Sequence, residues 1–317
     1  MVCRRAGSLS FVLVSLVGAF AWAQGEASAP GPDAAFVRAA IELTASKVES
    51  WQADVQRYLS LKAFDADLSQ MHVSSTYSFA FKGDKAYSDF QDFTTSGEVV
   101  IDEKAAYDGK IARVYFPQQS EGYVRQQFLK DDKKLRPAPF LIQIWNNPLI
   151  ECIQKDTLTL KPAPVDVQGA KCLVLHGQDA EAPTLAYNIY VDSSKGYMPL
   201  QIEELTTSDG KETLRAVRRL MEYREVKPGI WFPGRIEEEG WGKDGAVLNR
   251  NVYLVQNIAV NEPVSDDRFV ITFLARTLVD DEIAGVQYRV SSLDATSGGG
   301  SSDESAESMA TASAAPP

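Results

Sequence analysis

Tyr77-Ser78-Phe79-Ala80-Phe81 puts three aromatic side chains on one side of an extended chain and small residues on the other, and Gly83-Asp84 follows almost at once. Period two is the strand signature, because successive side chains of an extended chain point to opposite faces. The same period returns at Val99 and Ile101, at Val114 and Phe116, and at Leu173 and Leu175. It returns again at Tyr187, Ile189 and Val191, and at Val252 and Leu254. Turn residues separate these runs: Asp108-Gly109, Asp192 to Gly196, Asp209-Gly210 and Asp244-Gly245. Asp-Gly favours short hairpins because glycine accepts the positive φ they need. Hairpins in series make an antiparallel meander. So long a meander leaves edges and an apolar face exposed unless it curls. The expected architecture is therefore mainly β: a strongly curved or closed antiparallel sheet with something covering its open side.

Two helical segments are expected beside the strands. Asp33 can cap the first, in which Phe36, Val37, Ala40, Ile41, Leu43, Thr44 and Val48 recur at helical spacing. The second follows Pro137-Ala138-Pro139, with Phe140 four residues before Ile144 and Leu141 four before Trp145. Pro148 should stop it at or before Asn147. This short helix is either a plug filling the end of the barrel or a movable lid over a cavity.

The ends read differently. Residues 1–23 run from Arg4-Arg5 through an apolar stretch to Ala21-Trp22-Ala23, the layout of a cleaved secretory signal peptide. Residues 24–32 are a small-residue linker, 33–290 the single domain, and 291–317 a Ser/Ala/Gly-rich tail that cannot bury enough surface to order itself. The mature chain is expected to be exported and to work in the periplasm or cell envelope, soluble after cleavage. Cys152 and Cys172 both lie in segments that read as strands. In an oxidising compartment they suggest one disulfide, the other reading being two buried free thiols.

Composition narrows the function classes. The 317 residues carry a formal net charge of −11 without a basic patch, which argues against nucleic acid as a partner. There is no GxSxG, HExxH, CxxC, Gly-rich phosphate loop or GxGxxG. His72 and His176 have no ligand-spaced neighbour, and Glu237-Glu238-Glu239 alternates across a strand, so it cannot place three carboxylates on one face. No metal, cofactor or catalytic residue is expected.

Three stretches carry a family resemblance: Gly196-Tyr197-Met198-Pro199-Leu200, Gly229-Ile230-Trp231-Phe232-Pro233, and Ile258-Ala259-Val260-Asn261-Glu262-Pro263 leading to Phe269. With the closing Phe273 to Asp281, where Arg276 replaces the glycine of an F-x-x-G-T-x-V-x-D pattern, the chain resembles the LolA-like superfamily of periplasmic lipoprotein carriers. In particular it resembles outer-membrane lipoprotein-sorting proteins. The resemblance implies an incompletely closed, strongly curved antiparallel barrel, with an N-terminal helix and a short helical lid or plug. It also implies a cavity for an acyl chain, a lipid or a lipoprotein. Tyr77, Phe79, Phe81, Tyr115, Phe140, Ile144, Trp145 and Tyr187 are then the candidate lining. The expected protein is a non-enzymatic monomer with a transient membrane-associated partner. The competing reading is an envelope scaffold with a filled core, and a hydrolase without recognised motifs comes third.

Overall fold

The computed structural model describes residues 32–60, 68, 71–126, 142–145, 147–242 and 244–292. The segment expected to be a signal peptide, most of the expected linker, Phe140 and the tail from residue 293 lie outside the described residues. The first helix, α1 (Ala34–Ser46), starts where expected: Asp33 accepts the Phe36 N–H at 2.7 Å. Val37, Ile41 and Thr44 face inward, whereas Phe36 and Leu43 are exposed.

The first six strands are β1 (Ser50–Ser60), β2 (His72–Lys82), β3 (Lys85–Phe93), β4 (Val99–Tyr107), β5 (Ala112–Phe116) and β6 (Glu121–Arg125). A two-residue hairpin, β7 (Gln143–Ile144) and β8 (Asn147–Pro148), leads into α2 (Leu149–Lys155). Then come β9 (Thr157–Leu160), β10 (Val165–Val167), β11 (Ala170–Gln178), β12 (Leu185–Asp192), β13 (Met198–Ser208) and β14 (Lys211–Met221). The last strands among the described residues are β15 (Arg224–Lys227), β16 (Ile230–Phe232), β17 (Arg235–Trp241), β18 (Val247–Val260), β19 (Leu278–Asp281) and β20 (Val286–Arg289).

The main sheet runs in the order β10-β11-β12-β13-β14-β17-β18-β1-β2-β3-β4-β5-β6-β19-β20, with β9 also on β11. Its hairpins are antiparallel, and β19 joins β6 in parallel. The two end strands do not pair with each other, so the strongly curved sheet stays open. The mainly β, incompletely closed architecture is the one expected.

Register sorts the side chains. Trp51, Ala53 and Val55 stand opposite Phe81, Phe79 and Tyr77, and all of them join the main core with α1, α2 and the β7–β8 segment. This is the inner face. Ala80, Tyr87, Ala106 and Tyr115 lie on the outer face of β2–β5, covered by Val264, Phe269, Ile271 and Phe273 of the segment between β18 and β19. Phe273 lies so close over Gly122 that a Cβ there would sit 2.5 Å from its ring. On the inner face, Tyr187 approaches Gly177 in the same way, at 2.2 Å.

Two expectations need correction. The expected helix is not formed at residues 142–145, the described part of its stretch. Trp145 takes a positive φ of 48°, Ile144 pairs with Asn147, and the helix begins after Pro148, whose N–H-free ring suits a helix entrance as well as an exit. The disulfide is absent as well: Cys152 and Cys172 are free and buried. Cys152 is on α2 inside the main core, whereas Cys172 points to the outer face of β11 among Val167 and Leu200, so the sheet itself separates the two sulfurs. Burial pushes their thiols up to about 12 and about 11 respectively.

Candidate functional site

The inner wall of β1 and β2 holds the best-formed cluster of expected lining residues. Tyr77 and Phe79 stack with ring centroids 5.5 Å apart, Tyr77 and Phe90 at 4.9 Å, and Phe79 meets Trp51 at 6.2 Å. Tyr77, Phe79 and Phe81 are only half buried, while Trp51 beneath them is fully buried. Ile144, Trp145 and Tyr187 join the same core across the fold, Ile144 and Tyr187 being fully buried. The Tyr187 hydroxyl donates to Asp156 Oδ2 at 2.8 Å, and burial first, then this bond, raises its pKa.

Tyr115 is not part of this wall. It faces Lys104 across the β4–β5 pair, on the outer side, and packs edge-on against Phe273 at 5.8 Å. A strand's period tells which of its residues share a face, not which face is the inner one. Six of the eight expected lining residues are thus brought together, Tyr115 is set apart, and Phe140 lies outside the described residues.

Sequence reasoning missed the polar belt crossing the same inner face. Glu204 on β13 stands beside Ile202, Arg218 on β14 beside Leu220, and Glu238 on β17 beside Ile236. Arg218 reaches Glu238 at 3.1 Å and Glu204 at 3.8 Å. It also donates to the Gln143 carbonyl, and Glu204 accepts the Trp145 N–H at 2.8 Å. The segment covering the core is therefore pinned to the sheet at both ends of a three-residue stretch. Tyr253 on β18 donates to Glu238 Oε2 at 3.2 Å, and Arg57 on β1 donates to Asn251 Oδ1 at 3.1 Å. The signal that would have found the belt is a charge at an inward, period-two position between apolar neighbours.

Electrostatics divides the two glutamates. Burial raises Glu204, and the more distant Arg218 and the Trp145 N–H only partly offset that, so its pKa lies above the ordinary value. Burial also works against Glu238, but the charge and hydrogen bond of Arg218 and the Tyr253 hydroxyl outweigh it and lower its pKa. Burial opposes the Arg218 charge too, and Glu238 and Glu204 more than restore it. Arg218 and Glu238 form the tight pair, and Glu204 is the weaker third member.

Glu238 faces inward while Glu237 and Glu239 pair outward with Arg250 and Arg219, as alternation required. His176 is hydrogen-bonded to Asn188 at 3.1 Å. Among the described residues no group of acidic, histidine or cysteine side chains could hold a metal ion. No helix among them is long and apolar enough to cross a membrane.

The stretches that carry the resemblance have structural roles here. Asn261 accepts the Glu49 N–H at 2.8 Å and the Ser50 N–H at 3.2 Å and donates to the Lys47 carbonyl at 2.7 Å, tying the start of β1 to the end of β18. Phe232 is fully buried and meets Trp51 at 5.8 Å.

No protein-family model matches the chain, and no curated protein matches it. Solved structures do. A domain described as an outer membrane lipoprotein-sorting protein, from Vibrio parahaemolyticus, is similar over 74% of this chain and 97% of that one, at 10% identity and a TM-score of 0.49. A DUF1329 family protein from Desulfovibrio piger is similar over 74% and 97%, at 14% identity and a TM-score of 0.43. An uncharacterized conserved protein from Thermus thermophilus follows over 77% and 98%, at 10% identity and a TM-score of 0.36. The open, curved antiparallel sheet with helices against its inner face is the architecture that the LolA-like resemblance implied.

Proposed function

We propose that this is a non-enzymatic protein of the cell envelope that shelters an acyl chain, a lipid or a lipidated protein against the inner wall of its sheet. The observation that carries the reading is the half-buried aromatic row Tyr77, Phe79 and Phe81, in one core with a segment held to β13 and β14 by polar contacts. An acyl chain laid on such a wall gains about 0.8 kcal/mol per CH₂ removed from water. The cover can give way without breaking the sheet, because its ties to Arg218 and Glu204 are two hydrogen bonds. The sequence resemblance to lipoprotein carriers supports the same reading, as does the export expected from residues 1–23.

A second reading is a scaffold with a permanently filled core. Its support is that Ile142, Ile144 and Ile153 are fully buried, as core residues are. Ile144→Ala separates the two. In a carrier it weakens the cover, so binding of the neutral dye Nile red rises while the sheet stays folded. In a scaffold it costs about 2–5 kcal/mol by denaturant melt with dye binding unchanged. Native mass spectrometry of protein purified from an envelope fraction adds a direct check. A co-purified lipid supports the carrier, and bare protein together with the scaffold outcome overturns it.

A further inference from the structure

The inner wall is graded along its length. Reading outward along β1, Trp51, Ala53 and Val55 are apolar and buried, and the next inward position is Arg57. Their partners on β2 follow the same gradient: Phe81, Phe79, Tyr77, then Ser75. At a strand rise of about 3.3 Å per residue the stripe from Trp51 to Arg57 is about 20 Å long. It is apolar over most of that length and polar at one end, which is the shape of an amphiphile.

Arg57 is unusual among the inward charges. Arg218 is held by Glu238 and Glu204, and Asp92 by the Ser75 hydroxyl. Arg57 forms no ion pair within salt-bridge distance among the described residues: Nε donates to Asn251, the phenols of Tyr77 and Tyr253 lie close by, and the carboxylates of Asp92 and Glu238 act on its charge from further off. A guanidinium carries five N–H donors in a planar fork that matches phosphate and carboxylate oxygens. A half-buried one whose nearest carboxylates stay outside salt-bridge distance, at the polar end of an apolar stripe, has donors left for a ligand.

We propose that Arg57 receives the anionic head of an amphiphile whose chain lies along Tyr77, Phe79 and Phe81. This rests on the carrier reading and adds the ligand's charge and its orientation: head at the hairpin end of β1 and β2, chain toward Trp51. The head chemistry is a phosphate or carboxylate.

The test is displacement of Nile red from the full chain by hexadecyl phosphate and by hexadecanol, at low and high salt. The wild type should prefer the phosphate by about tenfold or more, as a charge-assisted hydrogen bond predicts. Salt should shrink that preference. Arg57→Gln should bring it to within about twofold, and Arg57→Lys should keep most of it. Equal displacement by the two compounds in the wild type overturns the inference and leaves the carrier reading standing. Displacement by neither overturns both. A preference that survives Arg57→Gln removes Arg57 from the role. Should Arg57→Gln fail to fold in a denaturant melt, the wild-type preference, its salt dependence and the Arg57→Lys result still decide.

Discussion

The Trp145 backbone N–H donates to Glu204 Oε1 at 2.8 Å, so a carboxylate that is almost wholly buried holds the segment covering the core. Its pKa lies above the ordinary glutamate value, chiefly because burial penalises the charge. The folded state therefore binds a proton more readily than the unfolded state does. The sign follows: stability conferred by protonated Glu204 is full below the unfolded value and is lost as pH rises through the folded one. Glu204→Gln keeps an acceptor for Trp145 and removes the charge. Denaturant melts should show the variant gaining on wild type as pH rises from the ordinary glutamate range toward neutrality. A constant difference across that range would contradict the assignment.

Arg218 is the member of the belt whose loss should cost most. It bonds Glu238 and the Gln143 carbonyl and approaches Glu204. Arg218→Ala leaves two inward carboxylates without their cation, and removing one partner of a buried pair costs about 3–5 kcal/mol. The expected outcome is a loss of that size in a melt at neutral pH, partly recovered in acid as the stranded carboxylates protonate. Arg218→Ala with wild-type stability at neutral pH would show the belt to be unimportant.

What could be read in advance follows from what local periodicity encodes. Alternation at Tyr77, Phe79 and Phe81 correctly placed the three on one face, because the strand period is a property of the backbone. It could not say that Tyr115 faces outward, since that depends on β18 returning to β1 and on residues 264–273 crossing the outer face. Pro148 bounds a helix from either side, and only the pairing of Ile144 with Asn147 reveals that it opens one. The inward charges were legible in principle: Glu204 keeps step with Ile202, and Arg218 with Leu220. A charge in that register reads as a breach of pattern until its partner on the next strand is known.

The cysteines give a plain chemical test. Cys152 and Cys172 are buried on opposite sides of the sheet, and both thiols lie well above neutral pH in their pKa. They should stay protonated and unreactive in the native protein. An alkylating reagent should label neither thiol under native conditions and both after unreduced denaturation. A reductant should leave the thermal midpoint unchanged. A linked pair in a non-reducing peptide map would overturn the free-thiol assignment.

Arg276 offers a gain rather than a loss. It occupies the glycine position of the closing pattern and adopts the glycine conformation, with φ at +70°. The turn is kept because its backbone bonds hold it: the Arg276 N–H donates to the Val290 carbonyl at 2.8 Å, and the Thr277 N–H to the Leu274 carbonyl at 3.1 Å. A left-handed conformation costs a residue with a Cβ about 1–2 kcal/mol. Glycine removes that strain but gives back about 0.5–1 kcal/mol through the greater freedom of the unfolded chain. Arg276→Gly should therefore stabilise by about 1 kcal/mol, which for a domain of this size raises the thermal midpoint by about 2–4 °C. Arg276→Ala, which keeps the Cβ, should give no such gain. Equal effects of the two changes would place the cause in the lost guanidinium, and a lower midpoint for Arg276→Gly would show that the arginine side chain contributes more than its backbone strain costs.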